Sequence, residues 1–122
     1  MSEKRKLVVV ITEGLDNERA SVAWSIANGG IKSGLEVHIF LTSSAIDWVR
    51  KGGANHVHLN PFDPPMMEMI QFVRDSGCPI YVCPPCAKVR GYEQDDLLDG
   101  VIITGSGAIH KLFLEGAAAL TF

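Results

Sequence analysis

Long apolar runs are missing from this chain. None approaches the roughly 20 residues that crossing a bilayer requires. After the charged start at residues 1–6 only five apolar residues follow, Leu7, Val8, Val9, Val10 and Ile11. That is a strand rather than the core of a signal peptide, so the expected compartment is the cytoplasm. Basic charge is also scarce. Eleven Lys and Arg against 14 Asp and Glu leave a net charge of −3, and the basic residues are scattered. This excludes a nucleic-acid surface from the expected partners. Cysteine occurs only three times, at 78, 83 and 86. So few thiols in a cytoplasmic chain are buried or working residues, not a disulfide framework. There is no repeat, no low-complexity segment and no linker, so 122 residues predict one domain spanning 1–122.

What is present is apolar residue in excess: 47% hydrophobic, with a mean hydropathy of +0.16. A tight core and a subunit interface would both absorb it. Residues 7–11 are apolar without alternation, as strands covered on both faces are, and residues 35–41 are the expected second strand. Between them Asp16 is the expected cap of a helix in which Ala20, Ala23, Trp24, Ala27 and Ile31 recur at helical spacing. Thr42, Ser43 and Ser44 offer caps for a second helix through Ile46, Trp48 and Val49. Residues 56–59 read as a minor strand or loop, and Pro64-Pro65 opens a helix with Met66, Met69, Ile70 and Val73 inward. A strand at 79–82, a short acidic helical stretch at 93–98, a strand at 100–104, a helix at 108–116 and a last strand at 118–122 complete the series. Strands alternating with helices define an α/β sandwich around a mainly parallel sheet, with helices on both faces. Thr12-Glu13-Gly14, Thr42-Ser43-Ser44, Cys83 and Thr104-Gly105-Ser106 then fall together at the carboxyl ends of strands, where such sheets bind ligands.

The chemistry concentrates at Cys83-Pro84-Pro85-Cys86. An apolar strand precedes it and Ala87-Lys88-Val89-Arg90-Gly91 follows as a short helix. Cys83 is expected where the strand stops and a helix N-terminus begins. Free N–H groups and the helix dipole stabilise a thiolate there. Cys86 lies one turn on, within disulfide reach. A structural zinc site would need two more ligands. Cys78 cannot supply one, because five strand residues separate it from Cys83 by roughly 16 Å. His56 and His58 share a face but read as exposed loop residues, and His38 as a satisfied core or interface residue. Gly105-Ser106-Gly107 lacks the spacing and lysine of a phosphate loop. No metal and no cofactor is therefore assigned. Glu13 and Asp16 read as helix-capping residues or as an acid or base near Cys83. Lys88 and Arg90 flank the turn, where they favour a thiolate or lie in solvent.

Val82-Cys83-Pro84-Pro85-Cys86-Ala87-Lys88-Val89-Arg90-Gly91, the acidic stretch after it, Asp99-Gly100-Val101 and the ending Leu120-Thr121-Phe122 resemble the DsrE/DsrF-like family, nearest its small YchN-type branch. The resemblance implies a three-layer, flavodoxin-like α/β/α sandwich with five or six strands. It implies homo-oligomers, trimers or hexamers. It also implies passage of sulfane sulfur as a cysteine persulfide between a donor and an acceptor protein, as in the DsrEFH and TusBCD complexes. The family's acceptor cysteine stands eight residues before the glycine of an Arg-Gly pair, as Cys83 stands before Gly91. Cys86 has no counterpart in the TusD-like branch. Two other functions fit the residues: a dithiol–disulfide oxidoreductase using Cys83 and Cys86, and a non-catalytic oligomeric module that binds a small ligand.

Overall fold

The computed structural model describes residues 4–122. Five strands, β1 (Lys6–Ile11), β2 (Glu36–Leu41), β3 (Ile80–Val82), β4 (Ile102–Ile103) and β5 (Ala118–Thr121), form one sheet. Its order is β4-β3-β2-β1-β5, and every neighbouring pair is parallel. Helices α1 (Glu18–Lys32), α2 (Met66–Asp75), α3 (Pro84–Val89) and α4 (Gly107–Leu114) connect them, with 3-10 helices at Ser43–Val49 and Gln94–Asp96. The result is the expected three-layer α/β/α sandwich. Among the described residues no helix is long and apolar enough to cross a membrane.

The two faces of the sheet are covered unequally. Leu7, Val9 and Ile11 of β1 and Val37, Ile39 and Leu41 of β2 point into the larger core. There they meet Ala20, Ala23, Trp24 and Ala27 of α1, and Met66, Met69, Ile70 and Val73 of α2. The period-two alternation of a strand sends Val8 and Phe40 to the other face, against Ile109 and Leu112 of α4. Burying each such side chain contributes about 1.5–3 kcal/mol, so the first face dominates stability. The second face has one helix. All four residues of β5 stay exposed, and Leu120 and Leu114 are 42% and 91% accessible.

Two expectations are corrected. Asn17 caps α1 rather than Asp16, its side chain accepting from the Arg19 N–H at 2.9 Å. Residues 43–49 form a 3-10 helix, and Thr42 makes no side-chain cap. Ser43, at its first position, has a φ of +53°, outside right-handed helical geometry. Of the two alternatives for residues 56–59 the structure has the loop, closed by His58 Nε2 on the Asp63 carbonyl at 2.7 Å. His38 is as expected, 7% exposed and satisfied at both nitrogens by Glu36 at 2.7 Å and Tyr81 at 3.1 Å.

Candidate functional site

Three loops converge at the carboxyl edge of the sheet. The loop after β1 leans on the loop after β2 so closely that a Cβ on Gly14 would lie 3.0 Å from the Ser44 backbone oxygen. Trp48, fully buried, donates from Nε1 to the Glu13 carbonyl at 2.8 Å and pins the first loop to the 3-10 helix. Thr12 N–H and Oγ1 both donate to the Phe122 carbonyl, at 2.8 and 2.7 Å, which holds the chain's last residue against the same edge.

Cys83 leaves β3 and serves as the N-cap residue of α3, with Pro84 and Pro85 as the first two helical residues and Cys86 as the third. Its backbone N–H stays in the sheet, donating to the Leu41 carbonyl at 3.0 Å. Cys83 lies against the α4 face and Cys86 against the α1–α2 core. The turn nevertheless brings the sulfurs together: Cys86 Sγ is 3.0 Å from Cys83 Sγ, and both are half-buried thiols. A disulfide bond of about 2.05 Å is about 1 Å of movement away.

Which thiol ionises first departs from the expectation. Burial pushes the Cys83 thiol up, and Cys86 adds to this through its side-chain hydrogen bond and its charge. Only the Cys86 backbone N–H opposes. The helix N-terminus is a weak anion site here because its first two residues are prolines and have no N–H to offer. Burial also works against ionised Cys86. It is outweighed by the hydrogen bond from Cys83, the Ser43 N–H and the Arg90 guanidinium, and the Cys86 pKa falls below the usual thiol value. In the singly ionised pair the charge sits on Cys86 and the proton on Cys83.

Ser43 is the donor that sequence reasoning missed. It is the one non-glycine residue at positive φ among those described, and its N–H reaches Cys86 Sγ at 3.2 Å. A serine in this region costs about 1–3 kcal/mol. Nothing in residue type announces it. Arg90 was legible as a flanking charge; its Nη1 donates to the Cys86 carbonyl at 3.1 Å, whereas Lys88 is exposed.

The remaining candidates lie elsewhere. Cys78 precedes β3 at the opposite end of the strand from Cys83. Glu13 accepts from Asn17 Nδ2 at 3.1 Å and Asp16 is exposed. His56 and His58 sit in the long loop before α2, and His110 stacks at a tilt on Phe113. Ser106 makes no side-chain cap on α4. Among the described residues no group of three or more His, Cys, Asp or Glu is placed to hold a metal ion.

A three-layer sandwich around a parallel sheet, with two neighbouring thiols at a strand-to-helix junction, defines a class of small flavodoxin-like α/β proteins. Within it the chain belongs to the DsrE/DsrF-like family, whose profile matches residues 4–122, and so has a family-level link to sulfur-relay proteins. It is 33% identical over 119 residues to the uncharacterised protein MJ0989 of Methanocaldococcus jannaschii, covering 96% of this chain and 99% of that one. It is 32% identical over 97 residues to the uncharacterised protein MK0008 of Methanopyrus kandleri, covering 78% and 75%. Its fold is similar to the crystal structure of ychN protein from E. coli, with a TM-score of 0.78, 22% identity and 97% and 99% of the two chains covered. It is also similar to the protein of unknown function MTH1491 from Methanobacterium thermoautotrophicum, with a TM-score of 0.72, 20% identity and 98% and 100% covered.

Proposed function

We propose that this protein is a cytoplasmic sulfur-relay protein that carries sulfane sulfur as a persulfide on Cys83, with Cys86 as its proton acceptor. The observation that carries this reading is the 3.0 Å contact between the two sulfurs, with the Ser43 N–H and Arg90 biased toward charge on Cys86. Cys83 Sγ attacks the outer sulfur of a donor persulfide and gives its proton to the Cys86 thiolate. The donor's S–S bond breaks, its thiolate leaves, and Cys83–S–S–H remains with no net oxidation. An acceptor thiolate then takes the outer sulfur by the reverse chemistry. Attack by Cys86 on the inner sulfur instead would release hydrosulfide and leave a Cys83–Cys86 disulfide, which ends the cycle until a dithiol reduces it.

Incubation of reduced protein with a persulfide donor, followed by peptide masses, tests this. One added sulfur on the peptide bearing Cys83, absent from Cys83→Ser, is the expected result. The same short sulfur–sulfur distance supports the second reading, a dithiol–disulfide couple. Its signature is the loss of two hydrogens in the wild type and in neither single variant. Unchanged masses throughout would leave only a ligand-binding module.

Homo-oligomerisation, as a trimer or hexamer, belongs to the same proposal. A strand exposed on both sides and the accessible Leu114, Leu120 and Ile102 support it, since bare apolar strand surface is ordinarily covered. Sedimentation showing only monomer at micromolar concentration would remove this part.

A further inference from the structure

At the C-terminal end of α3, one helical turn from Cys86, lies a cavity of about 370 Å³ lined by Arg50, Lys51, Arg90, Tyr92, Asp95 and Asp96. Small-molecule sites begin at about 300 Å³. Its charges are divided between two walls joined by backbone. Arg50 bridges to Leu97, and the Lys51 N–H donates to the Asp96 carbonyl at 2.9 Å, so the basic segment runs alongside the acidic one.

Despite this proximity the cations and the acids do not pair. Both side-chain ion pairs among the described residues lie elsewhere, Lys6 with Glu115 and His38 with Glu36. Asp96 Oδ2 accepts only the Glu93 N–H, at 2.8 Å, which leaves its second oxygen for another donor. Tyr92, which lines the cavity, donates to Asp47 Oδ1 at 2.6 Å, with Arg50 beside the same hydroxyl. Arg90 belongs to both places. It caps α3 at the cavity end and reaches back one turn to the Cys86 carbonyl.

A cavity with a cationic wall and an anionic wall, one turn of helix from a thiol pair, matches a molecule that is itself a zwitterion with sulfur a few atoms away. We propose that this cavity binds the α-carboxylate and α-ammonium of an amino-acid-type thiol or persulfide, the carboxylate on Arg50 and Arg90 and the ammonium on Asp95 and Asp96. Free cysteine and a γ-glutamyl tripeptide share this chemistry. The inference rests on the sulfur-relay reading and deepens it, naming a small molecule rather than a protein as one exchange partner.

The test uses probes that bind but cannot exchange sulfur: S-methylcysteine, S-methylglutathione and methylthiopropionate, which lacks the ammonium. Each is titrated into the full-length protein by calorimetry or amide chemical shifts. Saturable binding of one of the first two is expected, and which one binds identifies the source. Arg50→Gln and Asp95→Asn are each expected to weaken it about tenfold, and loss of the ammonium to do the same. No saturable binding of either zwitterion to the wild type overturns the inference, as does methylthiopropionate binding equally well. Sulfur loading of Cys83 is scored separately. Loading without probe binding refutes the cavity and leaves the relay; probe binding without loading refutes the relay and leaves the cavity.

Discussion

Trp24 and Trp48 are both fully buried, yet only one has its indole N–H satisfied. Trp48 Nε1 donates to the Glu13 carbonyl, whereas Trp24 Nε1 has no acceptor among the described residues. Replacing each with Phe therefore separates packing from hydrogen bonding. In Trp48→Phe the ring shrinks and the Glu13 carbonyl loses its donor, which costs about 1–3 kcal/mol. In Trp24→Phe a similar ring loss is offset by removing a buried, unsatisfied donor of about the same magnitude, so its net change stays within about 1 kcal/mol. The two variants should differ by about 2 kcal/mol. At about 2.1 cal/mol/K per residue, 122 residues unfold with about 0.26 kcal/mol/K, and the midpoints separate by about 8 °C. Thermal unfolding followed by circular dichroism measures this. Equal midpoints, or Trp24→Phe as the less stable variant, would refute the reasoning. The Trp48 variant should also expose its thiols faster to alkylation, because Trp48 pins the loop that leans on Ser44 next to the Ser43–Cys86 contact.

Limiting iodoacetamide at neutral pH should label Cys86 before Cys83, read from peptide masses. Cys86→Ala should accelerate labelling of Cys83, because two of the causes that raise its thiol vanish while the backbone N–H that lowers it remains. First labelling of Cys83 in the wild type would contradict the assigned charge. The chain's two tyrosines both titrate above the usual value of 10.0, Tyr81 through burial and then Glu36, Tyr92 through its bond to Asp47 and then burial. Ultraviolet titration should accordingly find both mainly protonated at pH 10, and half of the signal ionised there would count against these contacts. Gly53→Ala would place a Cβ 2.4 Å from the Asp47 backbone oxygen. It should cost about 1–3 kcal/mol by denaturant unfolding, with an unchanged midpoint as the refuting result.

Much of the fold was legible because parallel strands covered by helices leave uninterrupted apolar runs, and residues 7–11 carry that pattern in residue type alone. The helix faces at Ala20, Ala23, Trp24 and Ala27, and at Met66, Met69, Ile70 and Val73, follow from their spacing in the same way. Short elements were less legible. Residues 43–49 have helical composition, but they form a 3-10 helix whose first residue, Ser43, stands at positive φ. β4 shrinks to two residues because its length is set by what β3 offers across the ladder.

Composition and spacing by themselves placed Cys83 at a strand end and Cys86 one helical turn on, since an apolar run leads into Cys-Pro-Pro-Cys and proline favours the first helical positions. Tertiary contacts, together with the prolines between the cysteines, decided how the proton divides between them. The donor that favours charge on Cys86 comes from Ser43, 43 residues away in sequence, and the prolines that start the helix remove the donors that would have favoured Cys83. Tertiary structure also decided the strand order that leaves β5 bare, and the joining of residues 50–51 to 95–97 that sets opposite charges around one cavity. Local pattern encodes which residues are buried, because burial follows periodicity. Charge and proton placement depend on contacts a few ångströms long between distant segments, and only the packed chain sets those distances.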